Sequence, residues 1–114
     1  MSVDLDGRRF RAISNSSSGD SDGDTVFEYH QDGAVVWATY AGGGVRFGTL
    51  IAAVLDDGRL DMRYHQVAAD GAIKSGRCHS VPEELPDGRV RLHETWEWTE
   101  GGTGSGTSVV EEIR

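Results

Sequence analysis

The sequence predicts an all-β fold, an antiparallel up-and-down meander of about eight short strands curled into a small closed or nearly closed barrel. Three observations carry that prediction. Turn signals recur at regular intervals, the segments between them are rich in β-branched and aromatic residues, and no window sustains a helical period. Sixteen glycines in 114 residues work further against long helices.

The elements follow from the punctuation. Arg8 to Ile13 makes a first strand, and the stretch from Asn15 to Asp24 contains no apolar residue, so it reads as a mobile polar loop. Strands are then expected over Thr25 to His30, Ala34 to Tyr40, Val45 to Leu55, Arg59 to Val67, Ile73 to Val81, Val90 to Trp98 and Ser108 to Ile113. They are separated by Asp32-Gly33, Gly42-Gly43-Gly44, Asp56-Asp57-Gly58, Asp70-Gly71, Pro86-Asp87-Gly88 and Gly101-Gly102. Asp-Gly and Gly-Gly provide the positive φ of tight hairpins, so each is a mechanism for reversing the chain. Asp57-Gly58-Arg59-Leu60 and Asp87-Gly88-Arg89-Val90 use the same turn chemistry twice. Residues 1–114 read as one domain, a length that buries roughly two thirds of the unfolded surface.

Composition narrows the function classes. With 37% hydrophobic and 26% charged residues, the chain has no apolar run near the ~18 residues of a membrane-spanning helix, and a soluble protein is expected. The first residues, Met1-Ser2-Val3-Asp4-Leu5-Asp6, carry acids where a secretory signal carries basic residues, and a single cysteine, Cys78, fits a reducing compartment; a cytoplasmic location is the expectation. A net charge of −8 with scattered Lys and Arg argues against nucleic-acid binding.

Alternation assigns faces where charges label the outside. Val90, Leu92, Trp96 and Trp98 share one face, and Glu94 falls among them. By the same count Leu60, Met62, Tyr64 and Gln66 face inward on their strand, and Val45, Phe47, Thr49, Ile51 and Ala53 on theirs. A carboxylate on an apolar face needs partners, because an unpaired buried charge costs several kcal/mol. A register pairing Val81 with Val90 would set Arg77 across from Glu94, with Tyr64 close enough to add a hydroxyl. Pro82-Glu83-Glu84 is a place where that register can shift. Two readings stay open: an internal ion pair that holds the barrel's register, or a polar anchor at the floor of an apolar cavity.

Other chemistry finds little support. His30, His65, His79 and His93 include no i, i+2 pair that would place two metal ligands on one strand face, and Cys78 and His79 point to opposite faces. Asp20, Asp22 and Asp24 alternate, but a calcium loop counted from Asp20 has Gln31 where a glutamate belongs. Gly42-Gly43-Gly44 leads into a strand and not into the helix a phosphate cradle needs. No cofactor and no metal is expected. Trp37 escapes assignment, since both faces of its strand are apolar; turned outward, it would mark a contact surface.

The segments Asp32 to Tyr40, Val45 to Leu50, Leu60 to Tyr64 and Arg89 to Trp98 together resemble a family of short, uncharacterised bacterial proteins often labelled N-acetylglutamate synthase, over nearly the whole chain. That label implies acetyl transfer and an Arg/Gln-x-x-Gly-x-Gly/Ala loop for acetyl-coenzyme A. The sequence contains no such loop ahead of a helix, so no catalytic residue is carried over.

The functional expectation is a lipocalin-like or calycin-like module binding a small apolar molecule, with Glu94, Tyr64, Gln66, Arg77, Trp96, Trp98, Phe47 and Met62 as cavity candidates. Two alternatives accompany it. One is an enzyme, by the labelled acetyl transfer or another reaction using Glu94 as acid or base. The other is a protein-interaction or dimerisation module, so that monomer and homodimer are both open.

Overall fold

A computed structural model of the protein describes residues 3–114. Eight strands follow in chain order: β1 Arg9–Asn15, β2 Val26–Asp32, β3 Val35–Gly42, β4 Val45–Val54, β5 Leu60–Ala68, β6 Ile73–Glu84, β7 Val90–Glu100 and β8 Ser105–Glu112. Each pairs antiparallel with the next, and β8 returns to β1, so the sheet closes into a barrel. The predicted meander is therefore the observed fold, and closure removes the free edges an open sheet would expose.

The two Asp-Gly-Arg turns adopt one geometry. Leu55 and Leu85 donate their N–H to the carbonyls of Arg59 and Arg89 at 2.8 Å, Gly58 and Gly88 sit at φ 87° and 88°, and Asp57 and Asp87 each accept the N–H of the arginine two residues on at 3.1 Å. Positive φ at both glycines is what the sequence pattern demanded.

Inside the barrel, β5 and β7 present the residues alternation assigned to them. Leu60, Met62 and Gln66 are buried with Leu92 and Trp96. β4 departs from expectation. Its pairing with β5 slips between Val45 and Phe47, a bulge that sets Arg46 and Phe47 both outside and returns Gly48, Leu50 and Ala52 to the interior. Phe47 is 52% exposed and Ile51 56%, so neither belongs to the interior. A one-residue slip reverses every side chain beyond it.

The β6–β7 register also differs. Val81 lies opposite His93, and Glu84 opposite Val90. β6 therefore runs three residues longer than its apolar pattern indicated. Beyond Ser80 it has no β5 partner, so Pro82 occupies an edge position where a missing N–H is tolerated. Ser80 consequently faces Glu94, and Arg77 faces Glu97. Arg77 pairs with the Glu97 carboxylate on the outer surface, which excludes it as the interior partner of Glu94.

The two ends of the barrel are covered differently. At one, the chain before β1 folds across the opening: Leu5 is fully buried, its N–H donates to Gln31 Oε1 at 2.9 Å, and Gly7 N–H donates to the Tyr29 carbonyl at 3.0 Å. At the other lies the β1–β2 connection, residues 16–25. This polar segment is not splayed into solvent but lies over the strand ends, held by contacts described below.

Candidate functional site

Beneath the β1–β2 connection is a narrow cavity of about 50 Å³. Its walls are Phe27, Tyr40, Leu50, Met62, Tyr64, Cys78, Trp96 and Trp98, with Glu94 and Ser108 as interior polar groups.

Glycines make room for the aromatic wall. Three inward aromatic rings each stand directly across from a glycine on the neighbouring strand: Tyr40 from Gly48, Tyr64 from Gly76, and Trp96 from Gly106. A Cβ at Gly48 would overlap the Tyr40 ring and one at Gly76 the Tyr64 ring, while one at Gly106 would stand 2.8 Å from Trp96 Cζ2. Rings lying flat over cross-strand glycines recover the packing those glycines lack. Tyr64 and Trp98 meet edge to face with centroids 5.6 Å apart, and Trp96 and Trp98 are tilted at 5.7 Å.

Glu94 sits in a row of paired residues, Leu60, Ser80, Glu94 and Ser108, running across β5 to β8. Ser108 Oγ donates to Glu94 Oε1 at 2.9 Å. Among the described residues no cationic side chain pairs with Glu94, whereas Glu111, Glu112, Glu97 and Asp20 each have one. Burial pushes the Glu94 carboxyl up to about 7, and the Ser108 hydroxyl offsets only part of that shift. Burial, with Glu94 nearby, also drives the Tyr29 hydroxyl and Cys78 thiol well above their ordinary values. Tyr29 Oη and Ser80 Oγ are fully buried without a hydrogen-bond partner. Buried polar groups are nearly always satisfied, so these two orphan hydroxyls are exceptions, and neither residue lines the cavity.

The mouth is polar and occupied by the strap of residues 15–24. Asp20 Oδ2 accepts from Gln66 Nε2 and from Lys74 Nζ, both at 2.9 Å, and Gln66 Oε1 accepts from Tyr40 Oη at 3.0 Å. Both cavity tryptophans donate to the strap, Trp96 Nε1 to Asn15 Oδ1 at 3.2 Å and Trp98 Nε1 to the Ser18 carbonyl at 2.9 Å. The Lys74 ammonium also lies 5.2 Å from the centroid of the Trp98 ring.

The structure thus brings six of the eight sequence candidates together around one cavity: Glu94, Tyr64, Gln66, Met62, Trp96 and Trp98. Their arrangement differs from expectation. Tyr64 Oη donates to the Glu97 carbonyl at 3.2 Å and not to Glu94, and Gln66 belongs to the mouth. Phe47 and Arg77 lie outside. Reading the chain missed Ser108, Ser80, Tyr29 and the strap residues Asn15 and Asp20, although an inward hydroxyl on β8 was foreseeable once Glu94 needed a neighbour. A shallow groove on the outer wall over Arg63, Arg77 and Glu97 is lined by charges already paired with one another.

Trp37 faces outward, 41% exposed, and stacks on His30 with ring centroids 5.7 Å apart. Among the described residues there is no helix, so the acetyl-coenzyme A loop implied by the acetyltransferase label has no place in this architecture.

A family model described as avidin-like protein matches residues 3–113. No curated protein and no solved structure matches the chain.

Proposed function

The chain belongs to the avidin-like family, and we propose that it holds a compact small molecule inside the barrel, polar end down on Glu94 and Ser108, body against the aromatic wall. Barrels of this family bind small molecules such as biotin, and this one is a small-molecule-binding barrel of that kind. The observation that carries the arrangement proposed here is Glu94 on the cavity wall, with the Ser108 hydroxyl as its partner and no cation beside it among the described residues. Ser108 Oγ donates to one Glu94 oxygen, and the neighbouring Ser80 and Tyr29 hydroxyls, which are buried and do not line the cavity, have no partner. A few convergent polar groups in an otherwise apolar, aromatic pocket are the usual composition of a ligand site.

The strap adds a cover whose hydrogen bonds involve the same tryptophans that line the wall.

Native mass spectrometry of gently purified protein, alone and with added biotin, tests the reading. A mass increment present in the folded state and absent after denaturation is the expected result. A clean apo mass, together with no change in thermal stability on adding biotin or an extract of small molecules, would overturn it.

A further inference from the structure

The floor of the cavity has a charge pattern that selects among ligands, and the inference drawn from it rests on the small-molecule reading above. Every other acid with an assigned partner in the barrel wall meets a cation: Glu112 meets Arg8 at 2.7 Å, Glu111 meets Arg91 at 2.6 Å, and Glu97 meets Arg77. Among the described residues Glu94 alone turns into the barrel, and its partner there is a hydroxyl. Removing one member of a buried ion pair leaves the other uncompensated, and Glu94 is in that condition in the unliganded chain.

We infer that the buried end of the ligand carries a cationic nitrogen, an amine or amidine, that pairs with the Glu94 carboxylate while the rest of the molecule lies against Trp96, Trp98 and Tyr64. A protonated nitrogen brings a counter-charge together with its hydrogen bond to the carboxylate, which a neutral hydroxyl does not. Aromatic faces add attraction for a cation, and the wall already holds one: the Lys74 ammonium over Trp98. An anionic head would meet Glu94 and a chain of net charge −8 with repulsion.

The groups facing Glu94 restrict how binding depends on pH. They are Ser108 on β8, Ser80 and Cys78 on β6, Tyr29 on β2, Tyr40 on β3 and Tyr64 on β5, with Asp20 in the strap already paired to Lys74. Burial lifts the three tyrosines and Cys78, so Glu94 is the group of this set that exchanges a proton near neutrality. An amine taken up at pH 6 therefore displaces a proton from Glu94.

The test compares benzylamine, benzyl alcohol and benzoate, which share one ring and differ in head group, by calorimetry at pH 8 and at pH 6. The expected result is benzylamine bound at least tenfold tighter than the alcohol, benzoate not bound, and proton release with benzylamine at pH 6. In Glu94→Gln the tenfold preference disappears; Ser108→Ala, which keeps the carboxylate, retains it and serves if the first variant does not fold. Equal binding of alcohol and amine, or a neutral or anionic molecule found in the native mass increment, overturns the cationic assignment and leaves the small-molecule reading standing. Failure of all three to bind, with no native mass increment, overturns both.

Discussion

The Ser108 hydroxyl donates to Glu94 Oε1 at 2.9 Å inside a barrel wall that offers this carboxyl no cation. One neutral hydrogen bond does not repay the desolvation of a charge, so Glu94 holds its proton far above the usual carboxylate range, from an ordinary 4.5 to about 7.

A pH dependence of stability follows. Between about pH 4.5 and 7 the folded state binds a proton that the unfolded state has lost, so unfolding free energy falls as pH rises through that window. The full penalty is on the order of 3 kcal/mol, lessened by the partial exposure of Glu94. Urea denaturation of wild type and Glu94→Gln at pH 5 and pH 8 checks this. Wild type should lose stability on going to pH 8 while the variant does not, and parallel pH profiles would show that Glu94 is not the responsible group.

Gly76→Ala should cost about 1–3 kcal/mol, a typical overpacking penalty. The added methyl collides with the Tyr64 ring and, as the neighbouring position of Trp98 on β7, disturbs the wall of the cavity. Thermal melts give the cost, and a shift in near-ultraviolet circular dichroism reports the displaced aromatic rings. A neutral substitution would mean that the ring and glycine are not in contact.

Asp20→Ala removes the acceptor shared by Gln66 and Lys74. The ion pair is about 20% exposed on each side, and the expected loss in global stability is under about 1 kcal/mol. Local opening is where the change should appear: amide hydrogen exchange in residues 16–22 accelerates while the strands keep their protection. Unchanged exchange in the strap would show that the Trp96 and Trp98 contacts alone hold it.

Leu5→Ala should cost about 2–5 kcal/mol, the range for emptying a fully buried leucine site. Trp37→Ala, at an exposed outer position, should cost far less. Denaturation midpoints of the two variants rank them, and a reversed order would place the chain before β1 outside the cooperative core.

The architecture was legible because local chemistry repeats it. Asp-Gly and Gly-Gly turns state where the chain reverses, and on β5 and β7 charges at alternate positions label the outside without ambiguity. Glu94 emerged from that alternation as the one acid in an apolar row. The errors have one physical origin, which is register. Nothing in Val45-Arg46-Phe47 announces a bulge, so alternation puts Phe47 inside, and Pro82-Glu83-Glu84 looks like the end of a strand, so the same count sets Arg77 beside Glu94. Alternation has period two and carries no memory of a slipped residue. The strap was read as a mobile loop for lack of apolar residues, yet its contacts are made by Asn15, Ser18 and Asp20 through hydrogen bonds, which hydrophobic patterning does not register.

The barrel is sealed by Leu5 and its neighbours at one end, and by a ten-residue polar strap at the other. Traffic between interior and solvent then has one route, through the end whose cover is fastened by a handful of polar contacts. The dwell time of a guest is set there by how often those contacts release together, a local event far cheaper than unfolding the sheet. On the proposed reading, affinity and lifetime are controlled by different residues: Glu94 and the aromatic wall for the first, Asn15, Ser18 and Asp20 for the second. Changes in the strap can lengthen or shorten occupancy by orders of magnitude without altering what the interior recognises.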